Sequence, residues 1–254
     1  MGKLDNKVAL VTGSAHSIGK AIALGLAREG ADLVIADIDT EGLKVTAGEI
    51  TTLGVKALPV ETNVMEEEQI EALFTKTMEN YERLDILVNC AGIFNGGPID
   101  QLATETWDAV LATNLRAPFL CTRSAFRIMK EQHSGKIINI SSISAKRPRM
   151  FNAPYSTAKA GLVGLTLSTA LEGREHGITC SVIYPGEVTR DRPPAMPAGM
   201  TPPPGVTYTP PGPTETMSTE EIAAAVVFMA SAPPHVNVLE LTQLPIEQLY
   251  LGRG

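Results

Sequence analysis

Tyr155 and Lys159 stand four residues apart in the run Tyr-Ser-Thr-Ala-Lys, and Ser142 lies thirteen residues upstream. On a helix, positions i and i+4 share a face, so this spacing sets an ammonium beside a phenol. A phenol titrates near about 10 in water, and a neighbouring cation favours its ionised form, which brings a proton-transfer group toward neutral pH. A serine hydroxyl nearby can hold the oxygen whose proton is moving. Together the three side chains could exchange a proton with an alcohol oxygen while a hydride leaves the attached carbon. A Tyr-x-x-x-Lys pair is also an ordinary feature of helix surfaces, so its meaning depends on what the rest of the chain builds around it.

The elements that must position this group begin at residues 7–12, Lys-Val-Ala-Leu-Val-Thr, an apolar run rich in β-branched residues. Gly13, Ser17, Ile18 and Gly19 follow in a glycine turn that opens a helical pattern over residues 20–29. Strand, turn and helix in that order point backbone N–H groups and roughly half a positive charge of helix dipole at an anion, which suits a dinucleotide pyrophosphate. The next apolar run, 32–36, ends in Asp37, eighteen residues after Gly19. A carboxylate there can accept hydrogen bonds from an adenosine ribose. Further strands are expected at 55–60, 84–89, 135–141, 178–184 and 236–244, with helices between them. Most of these runs are continuously apolar, as strands buried on both faces must be. The expected fold is therefore α/β: a doubly wound, seven-stranded parallel sheet flanked by helices, in one domain over residues 1–254. Residues 193–214 carry no charge and are dense in proline. Such a loop, an insertion at about 190–217, would lie at the carboxyl end of the sixth strand. Met196, Met200, Val206 and Tyr208 could make it a lid over a ligand, the alternative being a plain surface insertion.

The ordered set Thr12-Gly13 to Gly19, Asp37, Asn89-Cys90-Ala91-Gly92, Asn114, Ser142, Tyr155, Lys159 and Pro185-Gly186 resembles the short-chain dehydrogenase/reductase family along nearly the whole chain. The resemblance implies a Rossmann-fold oxidoreductase moving a hydride between NAD(P) and a secondary alcohol or ketone. It implies that Tyr155 is the general acid/base, Lys159 steadies its phenolate and meets the nicotinamide ribose, Ser142 holds the reacting oxygen, and Asn114 holds a relay water. Cofactor contacts are expected from Gly13, Ser17, Ile18, Gly19, Asp37, Ile38, Asn63, Val64, Asn89, Ala91, Gly92, Tyr155, Lys159, Pro185, Gly186 and Val188. A structural role for Asn89 stands open beside direct contact. Phe94, Phe151 and Glu187 are expected to join Ser142 around the substrate. The chain departs from the family pattern at Ser17, where a glycine is usual, and at Asn63, where an aspartate is usual and an amide is left for the adenine edge. Arg190 replaces a threonine, with Thr189 one position early. Asp37 would face the extra phosphate of NADP, with Ile38 and Asp39 following and His16 the lone basic residue of the glycine turn, so NAD is the expected cofactor. Helices over about 104–130 and 152–175 carry apolar and small residues on more than one face, and with the resemblance this implies a homodimer or homotetramer.

A formal charge of -7 and a sequence pI near 5.2 oppose nucleic acid as a partner. No uninterrupted apolar run reaches the roughly 20 residues that span a bilayer, and residues 1–7 hold no apolar signal core, so a cytoplasmic protein without a membrane partner is expected. Cys90, Cys121 and Cys180 are expected as thiols rather than disulfides, and the scattered histidines give no metal site. Lys146, Arg147, Arg149, Arg190 and Arg192 flank the expected site, leaving an anionic substrate open beside a neutral, apolar one. A dinucleotide-binding sensor or scaffold without turnover is the alternative to an enzyme.

Overall fold

Every residue of β1 (Val8–Thr12) is buried, because both faces of this strand are covered. Alternate side chains go to opposite layers. Ala9 and Val11 pack with Ile22 and Leu26 of α1 (Ser17–Arg28), Leu43 of α2 (Thr40–Thr52) and Val226 of α7 (Thr219–Ala230). Val8 and Leu10 pack with Leu73 and Phe74 of α3 (Glu67–Tyr81) and Leu120 of α5 (Ala117–Gln132). β1 pairs in parallel with β2 (Asp32–Asp37) on one side and β4 (Ile86–Asn89) on the other. β3 (Ala57–Glu61) extends the sheet past β2, while β5 (Gly135–Ile140), β6 (Ile178–Pro185) and β7 (Glu240–Gln243) extend it past β4. Among the described residues the result is a 7-stranded parallel sheet in the order β3-β2-β1-β4-β5-β6-β7, as the apolar runs implied. The computed structural model describes residues 2–189 and 215–250. The lid residues Met196, Met200, Val206 and Tyr208 lie outside them, as do Arg190 and Arg192.

Where element bounds differ from the sequence pattern, a side chain or a turn has taken the backbone groups. β4 starts at Ile86 rather than at 84, since the Leu84 N–H donates to the Gln132 side chain instead of to a neighbouring strand. β7 is confined to Glu240–Gln243 because the Val236 N–H closes a turn onto Pro233, and Asn237 spends its side chain on Cys180 and Ser181. The helix expected over 104–130 is α4 (Thr104–Leu111), a π-helical segment (Ala112–Arg116) and then α5. Pro118 brings no N–H for the Asn114 carbonyl four residues back, which accounts for the widened turn there.

Gly13 joins the sheet to α1 with φ +68°, and a Cβ added to it would lie 2.7 Å from Ala91 Cα. Both the backbone conformation and the space require glycine. Gly13→Ala is expected to lower stability by about 1–3 kcal/mol from the backbone conformation alone. In a urea titration this should appear as a lower midpoint at unchanged slope.

Candidate active site

One end of the site is built where β1 and β4 part. Thr12 Oγ1 accepts the N–H groups of both Cys90 and Ala91, each at 3.1 Å, and so ties the first turn to the fourth. A Cβ on Gly19 would collide with the Gly13 carbonyl oxygen, so α1 starts directly on the turn. Ser17 opens that helix with φ +48°. It therefore holds the left-handed conformation that glycine takes freely, at a cost of about 1–2 kcal/mol. Asp37 ends β2 with one carboxylate oxygen accepting the Ala15 N–H and the other the Asp39 N–H, both at 3.1 Å. Asp39 caps α2 through the Gly42 N–H at 3.0 Å and meets His16 Nε2 at 2.6 Å. The Gly42 N–H first, and then the His16 ring, hold the Asp39 carboxyl below the usual carboxylate range. Ile38 beside them is 69% exposed, an apolar surface open to a planar ring.

The chemical end is built by α6 (Ala153–Gly173), whose first turn carries Tyr155 and whose second carries Lys159. Lys159 is buried, its Nζ donates to the Ile140 carbonyl at 2.7 Å, and it stands 5.6 Å from the centroid of the Tyr155 ring. Ser141 Oγ donates to the Lys159 carbonyl at 2.8 Å, fastening α6 to the end of β5. Phe94 packs edge-on against Tyr155 with centroids 5.1 Å apart. Ser142 Oγ accepts the Ser144 N–H at 3.1 Å and caps a short 3-10 turn.

A cleft of about 440 Å³ joins the two ends along the carboxyl edge of the sheet. Its walls include Gly13, Ser17, Ile18, Gly19, Asp37, Ile38, Asn63, Val64, Ala91, Gly92, Ser142, Tyr155, Lys159, Pro185, Gly186 and Val188. An adjoining cavity of about 320 Å³ shares Phe94, Ser142, Tyr155, Gly186 and Val188 and adds Arg149, Asn152 and Glu187. Three residues expected at the site are placed off its walls. Asn89 is buried and donates from Nδ2 to Asn139 Oδ1 (2.8 Å) and Thr122 Oγ1 (3.2 Å), so it ties β4 to its neighbours. Asn114 turns both ends of its carboxamide onto Ile93, accepting its N–H at 2.8 Å and donating to its carbonyl at 2.7 Å. It thus grips the main chain behind the cleft. Phe151 lines neither space; with φ +61° it forms a corner whose carbonyl accepts the Gly97 N–H. Asn63 is on the wall, and its Oδ1 accepts the Met65 N–H at 3.1 Å.

Sequence reasoning gave no role to Thr12, although it adjoins Gly13, because its partner Cys90 is 78 residues away. It likewise missed Ser141 and the Ile140 carbonyl, whose contacts exist only once α6 packs on β5. The basic cluster beside Ser142 is taken up locally. Lys146 pairs with Glu240 at 2.7 Å, Arg147 bonds the Tyr250 carbonyl at 3.4 Å, and Arg149 pairs with Glu187 at 2.8 Å. Burial pushes the Cys121 and Cys180 thiols up to about 12, which leaves them inert. Among the described residues no group of three His, Cys, Asp or Glu could hold a metal, and no helix is long and apolar enough to cross a membrane.

A turn with no room for a Cβ, a fixed carboxylate at the next strand end and a cleft running to a tyrosine and a buried lysine together suit a nicotinamide dinucleotide. Fold and site are those of a Rossmann-type oxidoreductase. The family model for short chain dehydrogenases matches residues 7–194, and the chain belongs to that family. It is 38% identical over 193 residues to a 3-oxoacyl-[acyl-carrier-protein] reductase of Synechocystis, covering 75% of this chain and 78% of that protein. Its fold matches the crystal structure of levodione reductase with a TM-score of 0.82 at 28% identity, over 94% of this chain and 96% of that one. It also matches a metagenomic short-chain oxidoreductase in complex with NADP, with a TM-score of 0.80 at 31% identity, over 95% and 98% of the two chains.

Thr12→Val keeps the shape of the side chain and removes the acceptor for two amides. A loss of about 1–3 kcal/mol in a chemical denaturation curve is expected for a buried donor left without its partner.

Proposed function

We propose that this protein is an NAD-dependent dehydrogenase/reductase acting on a secondary alcohol or its ketone. The observation that carries the reading is the single cleft that has the glycine turn and Asp37 at one end and Ser142, Tyr155 and Lys159 at the other. The dinucleotide, when bound, supplies the hydride acceptor for oxidation and the hydride donor for reduction. Gly13, Ser17, Ile18 and Gly19 would receive its pyrophosphate, Asp37 and Ile38 its adenosine, and Pro185, Gly186 and Val188 its nicotinamide end. Ser142 holds the substrate oxygen. Tyr155 removes the proton from that oxygen in oxidation and returns it in reduction. The Lys159 cation, fixed by the Ile140 carbonyl, favours the phenolate and steadies the ribose beside it. Asn114 acts at one remove by fixing the Ile93 main chain against the cleft.

The preference for NAD rests on charge. An NADP phosphate would meet the Asp37 carboxylate with Asp39 next to it, while the nearby His16 ring is engaged by Asp39. A structural neighbour is bound to NADP, so the proposed preference for NAD turns on this chain's own strand end. Cys121 and Cys180 are buried thiols, which fits a reducing cytoplasm. Phe119 of α5 and Leu171 of α6 are 45% and 59% exposed, which supports an assembly that covers these helices.

Tyr155→Phe should keep NADH binding, read by fluorescence, and lose turnover by about 10²–10⁴. Activity within tenfold of wild type would place the proton elsewhere, and NADH binding without turnover of any alcohol would leave a sensor. Asp37→Ala should narrow the NAD over NADP ratio of kcat/KM; a wild type that uses NADP equally well contradicts the assignment. Light scattering at micromolar concentration should give a dimer or tetramer.

A further inference from the structure

Residues 244–250 follow β7 and return to the cleft wall, and the proposed reaction leaves them without a part. Leu244 and Tyr250 pack with Ile143 and Tyr184, and the Tyr250 carbonyl accepts the Arg147 Nε–H at 3.4 Å. Between them Gln248 donates its N–H to the Pro245 carbonyl at 3.0 Å and sends its side chain to the turn that ends β6. There Gln248 Oε1 accepts the Glu187 N–H at 2.8 Å. The turn is shaped to admit it, since a Cβ added to Gly186 would collide with that same oxygen. Ile246, on the same segment, points away and is 99% exposed.

We infer that Gln248 is a positioning residue: through the Glu187 amide it sets the Val188 peptide on the cleft wall and so aligns the nicotinamide end of the dinucleotide with the substrate carbon. The inference rests on the reductase reading above and deepens it. Val188 lines both the cleft and the adjoining cavity, and the amides on its two sides are held from outside them. The Glu187 N–H goes to Gln248, and the Thr189 N–H goes to the Met217 carbonyl at 2.8 Å. One residue earlier, the Gly186 N–H goes to the Gln243 carbonyl at 2.8 Å. Two of these three bonds are made by main chain and do not depend on residue type. The third depends on one side chain. Gln248 is therefore the point at which the wall can be loosened without touching the cleft. The adenosine and pyrophosphate are received at the far end, so a looser wall should cost little affinity, whereas hydride transfer falls steeply when the reacting atoms are misaligned.

The test compares wild type with Gln248→Leu, which removes the acceptor at similar size, and Gln248→Glu, which keeps an oxygen at the same reach. Three quantities are read: NADH affinity by fluorescence, the single-turnover rate of NADH oxidation by a ketone that wild type reduces, and amide hydrogen exchange over residues 185–188 without dinucleotide. In Gln248→Leu the single-turnover rate should fall about tenfold, and further with NADH deuterated at C4, while the NADH Kd stays within about threefold of wild type. Exchange over 185–188 should rise. Gln248→Glu should restore both the rate and the protection, and Ile246→Ser, on the exposed side of the same segment, should leave all three quantities unchanged. Gln248→Ala carries the comparison if the leucine variant does not fold. An unchanged rate in Gln248→Leu, a fall in rate matched by an equal loss of NADH affinity, unchanged exchange over 185–188, or no rescue by Gln248→Glu overturns the inference. Loss of NADH binding in both the leucine and the alanine variants does so too, because it assigns the bond to stability alone. Each of these leaves the reductase reading standing, whereas absence of turnover by wild type with any ketone overturns both.

Discussion

Everything at this site depends on how β1 and β4, parallel neighbours in the sheet, are held together at the point where their chains leave it. Parallel strands deliver their loops to one edge, and where neighbouring strands connect in opposite directions a crevice must open. The Thr12 hydroxyl, bonded to two amides of the β4 turn, sets the depth of that crevice. The missing Cβ of Gly13 lets the two turns touch. With the turns fixed, α1 begins against the Gly13 carbonyl and presents its N-terminal amides to the crevice, while Asp37 is oriented by the amides of Ala15 and Asp39. In the proposed reading, dinucleotide recognition draws on main-chain geometry that the sheet imposes.

The proposed proton-transfer group depends on the same sheet one layer away. The Lys159 side chain is buried, and a buried ammonium persists only where oxygens replace its water. The Ile140 carbonyl at the end of β5 is one such oxygen, and Ser141 returns a bond to the Lys159 carbonyl. Because α6 is fastened at this turn, Tyr155 one turn earlier is held over the cleft, with Phe94 against its ring. The spacing of four residues chooses the face, and the packing on β5 fixes where that face stands.

Much of this was legible in the sequence, since apolar runs, glycine turns and a Tyr-x-x-x-Lys spacing are local signals. The sheet follows from them, while most of the cleft wall was legible only through the family resemblance that their order carries. What was not legible depends on partners far apart in the chain. Asn89 leaves a structural role and a cofactor contact both open until Asn139 and Thr122, 50 and 33 residues away, engage it. Asn114 reads by resemblance as the holder of a relay water, and the bonds of its carboxamide to Ile93 and the turn widened at Pro118 appear only in the fold. Arg149 reads as a free cation until Glu187 arrives from the end of β6. Ser17 shows the opposite case. Sequence marks it as a departure from glycine, and the backbone keeps the left-handed conformation regardless, since the turn dictates φ and the residue adapts.

The central claim is that one dinucleotide spans the cleft from Asp37 to Lys159, linking recognition to chemistry. Amide hydrogen exchange of the whole protein, with and without saturating NAD, tests it without reference to any substrate. The account predicts added protection on binding in residues 13–19, 37–39, 90–93 and 185–188 together with the start of α6. Protection confined to the first two segments, with 185–188 and the α6 turn unchanged, would contradict it.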